Sequence, residues 1–194
     1  TLGDNEPLTN TLRRVVLLVR HAAANNVSPL YAASEQGSGD LVQALLTMKD
    51  ISLRQTLTKR RAPIYIAFDL NPVDVLDALL RIGEIQINQG EDNTSGITPL
   101  IGACQNGHVN VVNLLLARKE IQINQAKNDG TTPLNVACQY DRVKVVNVLL
   151  ARKEIQINQG DNNGRTPLSM TRKVKIVNAL LARKEIQINQ GDDD

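Results

Sequence analysis

The chain has 194 residues, with 22 basic and 20 acidic side chains and a formal net charge of +2, so it has no global field of the kind that gathers nucleic acid or anionic lipid. Hydrophobic residues make up 42% of it, yet Tyr31, Tyr65, Tyr140 and Phe68 are the only aromatic ones, which calls for an aliphatic core. No apolar run approaches a membrane span, and the short stretch Val15 to Val19, preceded by Asp4 and Glu6, is a poor export signal. The chain reads as cytoplasmic, or as translocated by signals of another kind.

In chain order, Thr9 to His21 is expected to form a helix with Thr9 or Asn10 as its cap and Leu12, Val15, Val16 and Val19 recurring on one face. Residues 1–26 would then cover the first end of a stack. A first repeat is expected over 27–60, starting at Val27-Ser28-Pro29-Leu30, and a second over 61–94, starting at Ala62-Pro63-Ile64. Three further units occupy 95–129, 130–163 and 164–191, and Asp192 to Asp194 form an acidic tail. Thr98, Thr132 and Thr166 each precede Pro-Leu at 34-residue steps, and Asn88, Asn124, Asn158 and Asn189 close the same tail. A fixed period of this length marks a solenoid in which neighbours share one elongated core. Leu30 to Leu46, Ile64 to Leu80, Leu100 to Leu116 and Leu134 to Leu150 all span 16 residues, so the divergent early units keep the register of the later ones.

Each unit reads as two helices. The hydroxyl of Thr98, Thr132 or Thr166 caps the first, with proline at the first helical position. Gly37, Gly107 and Asp141 occupy the turn, where positive φ is tolerated. The second helix turns residues such as Val143, Val145, Val146, Leu149 and Leu150 inward. The last unit has 13 residues between Leu168 and Leu181, which predicts a shortened first helix or turn.

TPLIGA at 98–103, TPLNVA at 132–137 and GHVNVVNLLL at 107–116 resemble ankyrin repeats, over roughly residues 27–191. The resemblance implies an all-α ankyrin-repeat solenoid of stacked helix-turn-helix units with projecting β-hairpin loops. The histidine expected after Thr-Pro-Leu is missing, its place taken by Tyr31, Tyr65, Ile101, Asn135 and Ser169, and RKE replaces a glycine after the second helix in three units.

No catalytic constellation stands out, and no cofactor or metal is expected. Cys104 and His108, four residues apart, are the one pair that a nucleophilic reading could use, but Cys138 occupies the same slot with Arg142 in place of the histidine, so packing accounts for both cysteines. Helices about 8–10 Å apart also hold these thiols too far apart for a disulfide, which fits a reducing compartment. Glycines near 90, 96 and 130 lie in no phosphate-binding frame. Asp161 and the three terminal aspartates read as solvated turns.

The resemblance implies a partner surface along a concave face and the loop tips. Mapped onto this chain it comprises Tyr31, Glu35 and Gln36; Lys59, Arg61, Asp69 and Leu70; Ile97, Gln105 and Asn106; Asn128, Asp129, Thr131, Gln139 and Tyr140; and Asn162, Asn163 and Arg165. Tyr140, Ile97 and Leu70 are the expected anchors. The function so implied is a non-enzymatic, monomeric protein-binding module that takes neither nucleic acid nor membrane. A second class is an architectural or targeting segment of a longer multidomain protein, such as a host-directed effector, with its activity outside these residues. A hydrogen-bonded ladder of Gln122, Gln156 and Gln187 is a further expectation.

Overall fold

The computed structural model describes residues 6–25, 27–48, 73–81, 87–90 and 95–188. They fall into two compact units, 1–85 and 86–194, and are all-helical: ten helices and no strand among the described residues.

The first unit holds α1 (Glu6–Ala24), α2 (Pro29–Glu35), α3 (Gly39–Thr47) and α4 (Val73–Leu80). The helix α1 starts before the expected cap, so Thr9 and Asn10 lie inside it; Pro7 suits its first turn. Its buried face also differs from expectation: Val15, Leu18 and Ala22 are covered, while Leu12, Val16 and Val19 are exposed. Apolar residues surround much of this helix, so periodicity alone does not choose a face. The turn that follows does, because the backbone amides of Asn25 and Val27 both donate to the Ala22 carbonyl and aim that side of α1 at α2 and α3, on which it packs. The Ser28 hydroxyl accepts from the Tyr31 amide at 3.1 Å to cap α2, Gly37 turns the chain at φ 65°, and Leu41, Val42 and Leu45 of α3 meet α4 through a buried aliphatic layer.

The second unit repeats that helix-turn-helix frame three times. Its helices are α5 (Pro99–Asn106), α6 (Val109–Leu116), α7 (Pro133–Gln139), α8 (Val143–Leu150), α9 (Pro167–Met170) and α10 (Val174–Leu181). First helices pack in the order α5, α7, α9 and second helices in the order α6, α8, α10, giving two layers. Thr98, Thr132 and Thr166 cap their helices as expected, accepting from the amides of Ile101, Asn135 and Ser169 at 3.4, 3.2 and 3.4 Å. The turns also follow expectation, with Gly107 at φ 77° and Asp141 at φ 55°. Leu100, Val112, Leu115, Leu134, Val146, Leu149, Ile176 and Leu180 line the core between the layers, each worth about 1.5–3 kcal/mol of burial. The three-residue loss in the last unit falls on α9, which has 4 residues where α7 has 7.

The missing histidine and glycine are compensated locally. The buried Asn135 accepts from the Thr132 hydroxyl at 2.6 Å and donates to the Arg165 carbonyl of the next unit at 3.1 Å. Second helices close without glycine: the amides of Ala117 and Arg118 donate to the carbonyls of Asn113 and Leu115, and Ala151 and Arg152 repeat the pattern.

Tails of successive repeats are joined by asparagine rather than glutamine. Asn88 donates to the Glu120 carbonyl at 2.7 Å and accepts from the Gln122 amide at 2.9 Å. Asn124 does the same to Glu154 and Gln156, and Asn158 to Glu185 and Gln187, at the same distances. The expected glutamine ladder is thus a ladder of glutamine backbone amides held by asparagine side chains.

Candidate functional site

The loops before α7 and α9 are tight hairpin-like tips. In one, the Lys127 amide donates to the Thr131 carbonyl and the Gly130 amide to the Lys127 carbonyl; in the next, Asp161 pairs with Arg165 and Gly164 with Asp161 in the same manner. Gly130 is needed in two respects: its φ is 80°, and a Cβ there would sit 2.4 Å from the Asn162 side-chain oxygen and 2.7 Å from its backbone nitrogen. Successive tips therefore touch at this residue. They are also bonded to one another, through the Asn128 amide to the Ser95 carbonyl and the Asn162 amide to the Asp129 carbonyl, with the Asn162 side chain reaching the Asn128 carbonyl at 3.2 Å.

Carboxylates stiffen each tip. Asp129 accepts from the Thr131 amide at 2.9 Å and pairs with Lys127 at 2.9 Å. Slight burial pushes its carboxyl up, but the hydrogen bonds from Lys127 and Thr131 outweigh this and hold it at about 2. Asp161, expected to be a solvated turn, is buried; it accepts from the amides of Asn163 and Arg165 and binds the Arg165 guanidinium. Burial again raises its carboxyl, and these bonds bring it below the usual range. The sequence carried a signal for this role, an acid four residues before Arg165 and flanking the glycine turn.

Most of the expected partner residues in the second unit lie on these tips or at the ends of the first helices. Asn106, Asn128, Asp129, Gln139, Tyr140, Asn162, Asn163 and Arg165 are exposed, and Ile97 and Gln105 are half-buried. Thr131 is corrected: its side chain is buried, since the tip turns it inward beside the capping Thr132. Tyr140 ends α7 as its C-cap residue and is 45% exposed. In the first unit Glu35 and Gln36 are exposed and Tyr31 is half-buried. Lys59, Arg61, Asp69 and Leu70 lie outside the described residues.

The cysteines sit in the core. Burial, and then the neighbouring Cys138, push the Cys104 thiol well above its ordinary range, while burial and the Asp141 charge push Cys138 up to about 12. Neither is the exposed thiolate that a nucleophile requires. His108 is the N-cap residue of α6, and its Nε2 meets no hydrogen-bond partner among the described residues. Among those residues no three His, Cys, Asp or Glu side chains gather as a metal site, and no helix is long and apolar enough to cross a membrane.

A family model described as ankyrin repeats (3 copies) matches residues 79–161 and 124–192. The chain belongs to the ankyrin repeat family. The matched ankyrin segment covers the second unit and the end of α4, while α2 and α3, outside the match, show the same capped helix, left-handed turn and second helix. No curated protein matches the sequence. Ankyrin repeats are in general protein-interaction modules.

Proposed function

We propose that this ankyrin chain is a non-enzymatic, monomeric, cytoplasmic module that binds a partner protein through the tips and first-helix ends of the second unit. The repeats are read at 27–60, 61–94, 95–129, 130–163 and 164–191, with residues 1–26 as a capping helix. The observation that carries the reading is the fixed row of tips. Asn128, Asp129, Asn162 and Asn163 project from loops already bonded to one another, so little conformational entropy is lost when a partner docks. Gln139 and Tyr140 end the first helix that follows the tip at 128–131, and an exposed tyrosine within a polar rim is where binding energy concentrates.

Affinity capture with the intact chain, followed by mass spectrometry, supplies the partner, and titration of that partner against Tyr140→Ala and Asn162→Ala measures the face. A loss of about 2 kcal/mol for Tyr140→Ala is expected. If both variants bind as tightly as the parent while keeping its unfolding midpoint, the proposed face is wrong.

A further inference from the structure

Helix α1 carries aliphatic side chains on several sides, and only one is used; Leu17, 64% exposed, stands apart from the rest near Arg13 and Arg20. Val15, Leu18 and Ala22 face the first unit, whereas Leu12, Val16 and Val19 are 55%, 50% and 41% exposed and Ala23 is exposed with them. The steps between these four residues, four, three and four, are those of a coiled-coil a/d seam. In that register Arg13 and Arg20 both take the e position, which flanks the seam and sets the choice of partner; both are exposed. From Pro7 to Ser34 the sequence contains no Asp or Glu.

At about 100° per residue the seam lies roughly a quarter turn from the buried face, while Arg13 and Arg20 point almost directly away from the unit. A flat bilayer would meet those guanidiniums before the aliphatic seam. A helix approaching from the side of the seam reaches Leu12, Val16 and Val19 directly. An antiparallel second copy of α1 would bring arginine against arginine, and a parallel one would set each arginine against the g positions Val15 and Ala22, which are already buried.

We propose that Leu12, Val16, Val19 and Ala23, edged by Arg13 and Arg20, form a docking seam for an acidic amphipathic helix of a partner protein. Aliphatic side chains of that helix enter the seam, and its Glu or Asp residues pair with the two arginines. The seam belongs to the first unit, and its fate does not depend on the reading of the tips.

The test uses the full chain and two synthetic helical peptides of about 21 residues, with Val and Leu at a and d, and with either Glu or Lys at e and g. Titrated at low salt, the Glu peptide is expected to bind on the order of tenfold tighter than the Lys peptide. The double charge reversal Arg13→Glu with Arg20→Glu should invert that preference, and Val16→Asp should abolish binding of both. Circular dichroism and unfolding midpoints report folding; if Val16→Asp unfolds the unit, the charge reversal, which alters only exposed side chains, decides. An unchanged preference after reversal overturns the proposal, as does failure of the Glu peptide to bind. Sedimentation of the chain with phosphatidylserine vesicles but not with the peptide would assign the seam to lipid instead, and concentration-dependent dimers abolished by Val16→Asp would assign it to a second copy.

Discussion

Replacing Asn124 by alanine tests whether the asparagine ladder holds successive repeats together. The side chain makes two inter-repeat bonds, 2.7 Å to the Glu154 carbonyl and 2.9 Å from the Gln156 amide. A typical intramolecular hydrogen bond contributes about 0.5–1.5 kcal/mol net, and both of these lie near solvent, where water replaces a lost partner, so the expected cost is about 1–2 kcal/mol. With a urea dependence of about 1.5 kcal/mol per molar, the midpoint should fall by roughly 1 M. Urea unfolding followed by circular dichroism measures this, and hydrogen exchange at the Gln156 amide shows whether the loss is local. Asn124→Asp sharpens the case, because it keeps an acceptor for Gln156 but places an anionic oxygen against the Glu154 carbonyl and should recover little of the stability. A midpoint within about 0.2 M of the parent for Asn124→Ala, with unchanged protection at Gln156, would refute the ladder as a source of stability.

Gly130→Ala should destabilise by about 2–4 kcal/mol in the same unfolding assay, since left-handed strain of about 1–2 kcal/mol adds to a clash with Asn162 backbone and side chain. Gly107→Ala should cost less, because the nearest atom to its Cβ belongs to the flexible Arg142 side chain at 3.0 Å. Ile157→Ala removes a side chain 5% exposed and should cost about 2–4 kcal/mol, whereas Ile188→Ala, at the equivalent position but 68% exposed, should change the midpoint by less than about 0.5 kcal/mol. The carboxyls of Asp129 and Asp161 are both depressed in the folded chain, so their stabilisation is full above the unfolded carboxyl value of about 3.9 and fades as pH falls. For Asp129 the loss spans about pH 4 to 2; acid titration by circular dichroism should show it, and Asp161→Asn should shrink the drop.

What the sequence determined by itself is the content of a single repeat. Thr-Pro fixes a helix start because hydroxyl, proline and helix lie within four residues, and Gly107 or Asp141 fixes a turn because left-handed backbone is a property of one residue. A recurring spacing then places aliphatic side chains such as Val112 and Val146 at equivalent points, which made the two-layer stack and the family legible. Counting alone predicts a loss in the first helix or the turn of the last unit, and the structure puts it in α9. What only the tertiary structure decided is which side chain a neighbour covers. α1 has apolar groups on several sides, so the buried trio Val15, Leu18 and Ala22 was selected by the turn at Ala22, not by periodicity. Thr131 and Asp161 look like tip residues in the chain and become interior ones because the tip folds over them, while Asn124 outranks Gln122 because only its side chain reaches two backbone groups of the next repeat. Local conformational preference is written within a few residues, whereas burial and inter-repeat bonding depend on atoms about thirty positions away.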